Sequence, residues 1–345
     1  MSLSTRATVV VTGAGTVTCQ SVIKALRMQE EIPVEIVTVD SGDQVAGRYF
    51  SDHFYSVPLA SDPRYVDAMV DVCRAHDAAL LVPIVDYEFA PLGGAMERFA
   101  DFGCLVGMSP PEVIRKVNNK LEAYRFFTER GFGTARTWTD AEARELSPWL
   151  PYPVFVKPAV DGRSSIDCYR VDKAEDLLLH LDRVPGLMVQ EFVDAPEYTA
   201  DVVADWESRV LGLVIRRRIE TKGGVSYKGV TVSDPVAEAE VIRLAAELGI
   251  RGPANVQVFR RGEEVIFNEI NPRFSGALAL TLAAGLNSPL LLLKLALGLP
   301  IEHRIGETRI GLTMLRYWDE VFVDAEGTPM YPRYQLEPGR SLTPA

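Results

Sequence analysis

A doubly wound α/β domain followed by an α+β region is predicted by three features of the chain. Residues 7–106 alternate short β-branched runs with amphipathic segments, the order that builds a parallel sheet with helices on both faces. From residue 154 onward, strand-like runs dominate. Near the C-terminal end, two apolar, aromatic runs at 255–259 and 265–271 flank the charged turn Arg260-Arg261-Gly262-Glu263-Glu264, the pattern of a β-hairpin.

In chain order, the N-terminal part is expected to contain strands at 8–11, 34–40, 79–83 and 104–106. Helices are expected at 19–29, 63–76 and 89–102. Ser109-Pro110-Pro111-Glu112 has the form of a capping box before a short helix. A second helix spans 119–130 and stops at Gly131. Strands follow at 154–157, 167–171, 188–192, 198–204, 210–217 and 231–233, then a helix at 237–248 and the hairpin. The run 289–299 is too short to span a bilayer and carries Lys294. It reads as a buried helix with Ser288 as N-cap and Pro289 in its first turn. The expected units are 1–108, 109–186, 187–304 and a tail, 305–345, packing on the core.

The 345 residues are 47% hydrophobic and 24% charged, an ordinary globular balance with room for two or three domains. A net charge of −11 argues against non-specific nucleic-acid or anionic-membrane partners. It leaves a nucleotide ligand open, because local Lys and Arg decide that. Cys19, Cys73, Cys104 and Cys168 show no C-x-x-C spacing, which suggests free thiols in a reducing cytoplasm. The opening residues do not have the form of a secretory signal.

Side chains alternate faces along a strand, so Glu269 and Asn271 share one face. Gln257, on the partner strand, reaches that face as a near-diagonal neighbour. Hard oxygen donors of this kind suit Mg²⁺ that also holds phosphates. Arg273, on the same side, is placed to meet an anion. The plainer alternative is a hairpin with a polar solvent face. Lys120 lies in the first turn of its helix, where a solvated lysine is the plain reading. Lys157 ends a Val-Phe-Val strand directly before Pro158; an isolated buried ammonium is costly, and a nearby anion would resolve that. The backbone of the loop Asp161-Gly162-Arg163-Ser164-Ser165 could cover phosphates, with Arg163 adding charge.

Glu191, Phe192 and Val193 end an apolar strand whose edge suits an adenine, and Glu197 could accept ribose hydroxyls. Arg216-Arg217-Arg218, with Lys222 and Gly223-Gly224, forms the main basic cluster. It suits a carboxylate or polyphosphate, the glycines allowing close backbone approach. The loop Thr12-Gly13-Ala14-Gly15-Thr16-Val17-Thr18 partly matches a dinucleotide fingerprint, with Asp40 where a ribose-binding acid would lie. Its third glycine position is Thr18. A milder reading is a tight turn that touches substrate in a cleft shared with Asp86 and Glu88.

Taken in order, Lys120, the strand lysine Lys157, the small-residue loop, Gln190-Glu191-Phe192-Val193, Glu197, the basic segment and Gln257…Glu269-Ile270-Asn271-Pro272-Arg273 resemble the ATP-grasp superfamily. The chain is most similar to its carbamoyl-phosphate-synthase-like and biotin-carboxylase-like carboxylate–amine ligases, over roughly 5–320, including Arg316-Tyr317-Trp318. The resemblance implies a Rossmann-like pre-ATP-grasp domain (1–108), then a central lid subdomain with linker helices (109–186) and a C-terminal subdomain (187–304) that clamp ATP. It implies Lys120 and Lys157 on the phosphates, Arg163 above them, Glu191, Phe192 and Val193 around the adenine, and Glu197 on the ribose. Gln257, Glu269 and Asn271 would hold two Mg²⁺, with Mn²⁺ as a substitute. Arg273 would steady the acyl phosphate and the tetrahedral intermediate.

The loop 161–165 is shorter and poorer in glycine than that of carbamoyl-phosphate synthase, which leaves its lid role open. One ATP-grasp unit, without a biotin-related extension, argues against complete carbamoyl-phosphate synthesis. The expected activity is ATP-dependent joining of a small carboxylate to an amine through an acyl phosphate. Arg273, Lys157 and Arg163 would be catalytic, and Arg216, Arg218, Lys222 and Glu88 would contact substrate. No nucleic-acid or membrane partner is expected, and a homodimer suits an enzyme of this size. The alternatives are a non-catalytic ATP-binding or regulatory subunit and a nicotinamide-dependent oxidoreductase.

Overall fold

Strands that are apolar on both faces need helices on both sides of their sheet. β1 (Ala7–Val11) is such a strand, with every residue buried. In the computed structural model, which describes residues 6–160, 166–302 and 305–330, β1 is the centre of a five-stranded parallel sheet. The order is β3-β2-β1-β4-β5, with β2 (Val34–Asp40), β3 (His53–Ser56), β4 (Leu80–Val82) and β5 (Leu105–Val106). β3 is a short, largely exposed edge strand absent from the sequence-based expectation. The chain winds outward in both directions from β1, which opens a crevice at the carboxyl ends of the strands.

α1 (Val17–Met28) starts at Thr16, whose Oγ1 accepts the Cys19 amide at 3.1 Å. α2 (Tyr65–Ala75) follows β3. The single helix expected at 89–102 is two, α3 (Phe89–Gly93) and α4 (Met96–Ala100). Gly93, the last residue of α3, and Gly94, its C-cap, favour a break. α5 (Pro111–Asn118) is not capped by Ser109: Pro110 holds the N-cap position without a side-chain bond. Ser109 Oγ instead donates to the Arg251 carbonyl at 2.8 Å and accepts its amide at 3.0 Å. α6 (Lys120–Glu129) follows, with Asn119 as its N-cap.

The second unit is a four-stranded antiparallel sheet of β6 (Thr137–Thr139), β7 (Val154–Pro158), β8 (Tyr169–Val171) and β9 (Leu187–Glu191), in the order β6-β9-β7-β8. Its core packs Val154, Val156 and Val189 against Leu177 and Leu181. Those leucines lie on α8 (Ala174–Arg183), which the strand-dominated expectation missed along with α7 (Asp140–Leu146). Because β9 pairs with β6 and β7, this sheet runs on to Glu191 rather than ending at 186.

The third unit is a six-stranded sheet, β14-β13-β10-β11-β12-β15. Its strands are β10 (Glu197–Ala204), β11 (Val210–Lys222), β12 (Val225–Thr231), β13 (Gly252–Arg261), β14 (Glu264–Asn271) and β15 (Thr313–Leu315). α9 (Pro235–Leu248) packs beneath it, and Gly249 ends that helix in the left-handed region. Then come α10 (Leu278–Ala283) and α11 (Ser288–Ala296), the latter capped by Asn287, one residue earlier than expected. Leu278, Leu290, Leu292 and Leu293 share one core with Val9, Val11 and Leu26 of the first unit. That contact explains the apolar run at 289–299: the helix is buried between the first and third units and sets the cleft between them. The tail adds β15 to the sheet edge, but Tyr317 and Trp318 are exposed. Among the described residues no helix is long and apolar enough to cross a membrane.

Gly133 marks where the linker meets the hairpin. Its carbonyl accepts the Phe267 amide at 2.8 Å, and a Cβ there would stand 2.3 Å from the Val265 carbonyl oxygen. Gly133→Ala is therefore expected to cost about 1–3 kcal/mol by overpacking. A lower urea midpoint at unchanged slope would show it; an unchanged midpoint would show that the backbone gives way freely.

Candidate active site

The β13–β14 hairpin organises the site. Gln257 sits directly opposite Glu269, not diagonal to it, and Asn255 opposite Asn271. The register slips between Gln257 and Val258, so that Val258 pairs with Phe267 and Asn268 is an extra residue. Strict alternation would send Asn268 to the face away from Glu269. The bulge turns it toward Lys157, whose Nζ donates to Asn268 Oδ1 at 2.8 Å. Lys157 is 5% exposed. Burial pushes its pKa down to about 8, opposed by the Glu269 carboxylate and reinforced by the Lys120 ammonium. Lys120 Nζ lies 3.4 Å from Glu269 Oε1. The Lys120 amide donates to the Ala159 carbonyl at 2.8 Å, tying the start of α6 to the end of β7.

A cavity of about 450 Å³ lies between the two antiparallel sheets. Phe155, Val193 and Phe259 make its apolar end, and Lys120, Lys157, Gln257 and Glu269 its polar end. Glu191, Phe192 and Glu197 also line it. The Arg261 guanidinium is 3.7 Å from Glu191, and that of Arg170 lies 4.7 Å from the Phe192 ring centre. Glu197 pairs with Arg218.

A second cavity, about 330 Å³, shares Arg218, Gln257 and Glu269 with the first. It continues past Asn271 and Arg273 to Thr16, Val85 and Asp86 of the N-terminal unit. Arg273 Nε donates to Asp86 Oδ1 at 2.9 Å, and its terminal nitrogen to Asn271 Oδ1 at 3.3 Å. Arg218 donates to the Gly224 carbonyl at 3.2 Å, and its buried Nε has no partner among the described residues.

Three expectations change here, for Arg216, Lys222 and Glu88. Arg216 lines the second cavity but is 2% exposed, and its guanidinium is engaged by Asp201 at 3.4 Å and Ser226 at 3.0 Å. Asp201 also accepts from Asn255, Ser275 and Thr281, so Arg216 belongs to a buried network under the cavity floor. Lys222 stands outside both cavities, 56% exposed, over the Tyr227 ring. Register shifts around Glu220 break the alternation that would have kept it with Arg216 and Arg218. Gly223 and Gly224, both at positive φ, form the tip of the β11–β12 hairpin as well as part of the cavity wall. Glu88 faces away from Arg273, because one turn of 3₁₀ helix (Asp86–Glu88) sends the two acids to different sides. It is buried, and its Oε2 accepts from Thr12 Oγ1 and the amides of Ile84 and Val85. Arg163 and the loop 161–165 lie outside the described residues.

Asn268, Asp201 and Cys168, which lines the first cavity, escaped sequence reasoning. Asp201 alone left a signal, an acid in the middle of the apolar strand Tyr198-Thr199-Ala200-Asp201-Val202-Val203-Ala204.

Two antiparallel α+β units facing each other across a cleft, with a lysine from the four-stranded sheet and oxygen donors on the opposing hairpin, define an ATP-grasp fold. Residues 183–316 match the family described as ATP-grasp in the biosynthetic pathway with Ter operon. Residues 9–106 match the PylC-like N-terminal domain. The carbamoyl phosphate synthase large chain of Rubrobacter xylanophilus is 34% identical over 195 residues, 50% of this chain and 18% of that one. The formate-dependent phosphoribosylglycinamide formyltransferase of Variovorax paradoxus is 25% identical over 298 residues, 79% of this chain and 72% of that one. The biotin carboxylase domain of Hydrogenobacter thermophilus 2-oxoglutarate carboxylase, crystallised with MgADP, ADP and bicarbonate, superposes with a TM-score of 0.71. It does so at 15% identity over 95% of this chain and 83% of that one. The chain spans under a third of the length of the carbamoyl phosphate synthase large chains it matches.

Proposed function

We propose that this protein is an ADP-forming ligase that activates a small carboxylate as an acyl phosphate and joins it to an amine. One observation carries the reading. The lysine-rich cavity and the arginine-lined cavity meet at the Gln257–Glu269 pair. A γ-phosphate held at that junction would face a carboxylate held beside Arg273. In this reading ATP occupies the first cavity, with its base against Glu191, Phe192 and Val193 and its ribose at Glu197. Lys120 and Lys157 meet the phosphates.

The oxygen donors Gln257, Glu269 and Asn271 fit Mg²⁺, or Mn²⁺ in its place, and would hold it. Bound there, such ions would neutralise phosphate charge. The substrate carboxylate oxygen attacks the γ-phosphorus, an O–P bond forms, and ADP leaves with the electron pair of the broken bond. Lys157 gains from this step: an anion beside it removes the cost of its buried charge. An amine nitrogen then attacks the acyl carbon. The C–N bond forms, phosphate departs with the C–O electron pair, and the nitrogen loses a proton to solvent or phosphate. Arg273, held by Asp86, would steady the oxyanion. Arg218 supplies the charge that anchors the acid.

Four free cysteines suit a reducing compartment such as the cytoplasm. The biotin carboxylase domain crystallised as a dimer, and a homodimer is part of this reading.

The deciding experiment measures Mg²⁺-dependent ADP release with pools of small carboxylates, using hydroxylamine to trap acyl phosphates as hydroxamates. ADP and hydroxamate in equal amounts are the expected products. AMP in place of ADP would point to adenylation instead. ATP binding without release from any pool would favour a non-catalytic subunit.

A further inference from the structure

A third cavity, about 660 Å³, opens at the carboxyl ends of β1, β2 and β4 in the N-terminal unit. It adjoins the second, since Thr16 and Val85 line both. Its walls are apolar at Val39, Val57, Pro58 and Leu59, and two carboxylates, Asp40 and Glu88, face it. Among the described residues no Lys or Arg lines it. Asp40 receives the Gly15 amide at 2.9 Å and the Gly42 amide at 3.1 Å, which orient it without neutralising its charge. Thr12 Oγ1 and the Ile84 and Val85 amides converge on Glu88 Oε2. Beside Glu88 lies the Tyr65 hydroxyl. Tyr65 is 2% exposed and lines the cavity, and its hydroxyl donates toward the Glu88 carboxylate.

We propose that this cavity holds the amine co-substrate, a molecule with an apolar body and a second, non-reacting ammonium group. The inference rests on the ligase reading, which requires three substrates, and the molecule offers three adjoining cavities. The first is lined by lysines, the second by arginines, the third by carboxylates. The attacking nitrogen must be neutral, whereas two carboxylates favour the protonated form of any amine beside them. The nitrogen at Asp40 and Glu88 is therefore not the one that reacts. The co-substrate carries another nitrogen, which passes between Thr16 and Val85 to the acyl phosphate near Arg273. There its lone pair makes the C–N bond, phosphate leaves with the C–O pair, and the nitrogen gives up one proton. The distal ammonium keeps its charge throughout. Burial holds the Glu88 carboxyl above the usual range, although its hydrogen bonds oppose this, and a cation beside it would offset that burial. A volume of this size suits a ligand of amino-acid dimensions or somewhat larger.

The test uses the full chain, ATP, Mg²⁺ and an acid active in the hydroxylamine assay, with 1,4-diaminobutane and 1-aminobutane as amine probes. Hydroxylamine is small and needs no third cavity, so hydroxamate formation reports activation alone. The diamine is expected to show a KM at least about tenfold below that of the monoamine, in keeping with a charge-assisted contact. Two variants probe the site. Leu59→Arg places a cation at an exposed rim position (64% exposed) where folding should tolerate it. It is expected to erase the diamine preference. Asp40→Asn should erase the preference as well. Equal or absent use of the two amines, or a preference that survives both substitutions, overturns the proposal. Failure to form hydroxamate with every acid overturns the ligase reading instead, and this inference with it.

Discussion

Glu269→Ala is expected to lower Mg²⁺-dependent ADP release about a thousandfold, equivalent to about 4 kcal/mol of transition-state stabilisation. Glu269 stands opposite Gln257 and 3.4 Å from the Lys120 ammonium, and it is the main favourable charge for buried Lys157. Its loss would remove a metal ligand and leave two neighbouring lysines uncompensated. Glu197→Ala should behave differently. A ribose contact contributes equally to bound substrate and transition state, so the loss should be about tenfold and appear mainly in KM for ATP. Steady-state kinetics at several Mg²⁺ concentrations separate the two. Matching losses in kcat for both variants would sink the metal assignment.

Lys157→Met is expected to make the nucleotide-free protein more stable while reducing turnover about a hundredfold or more. The folded pKa of about 8 lies below the ordinary 10.5. The unfolded chain therefore binds more protons between these values, and stability rises with pH across that window. Below pH 8 the full cost is present, about 3 kcal/mol. Methionine removes it but leaves Asn268 Oδ1 without its donor, a loss of about 1 kcal/mol. The net gain at pH 7 is about 2 kcal/mol, a rise of a few degrees in Tm. The advantage should shrink as pH rises from about 8 toward 10.5. A variant less stable than the parent at pH 7, by the same margin at pH 10, would show that Lys157 is not held against its charge.

Much of the site was legible because it depends on short-range pattern. Glu269 and Asn271 are two apart on one strand, and both line the second cavity. Lys157, at the end of a Val-Phe-Val run before Pro158, lies in the first cavity beside Lys120. Glu191, Phe192, Val193 and Glu197 line the same cavity. Errors arose where alternation is interrupted or where a partner lies far along the chain. The bulge at Gln257 brings Asn268 to Lys157, and the shifts at Glu220 take Lys222 away. Arg216 has the sequence setting of a substrate arginine, but Asp201 lies 3.4 Å from its guanidinium.

Local periodicity by itself determined that the chain is a parallel α/β unit followed by a strand-rich α+β region, and which face of the hairpin bears the oxygen donors. Those properties follow from backbone geometry, in which side-chain direction repeats every two residues in a strand and about every 3.6 in a helix. Only the tertiary structure decided which charges are free. Arg273 takes Asp86 from 187 residues away, Lys157 takes Asn268 from 111 away, and Asp201 gathers groups from three other elements. Whether a charged side chain awaits a ligand or is already satisfied depends on burial and on partners that only packing brings together, and no local pattern records either.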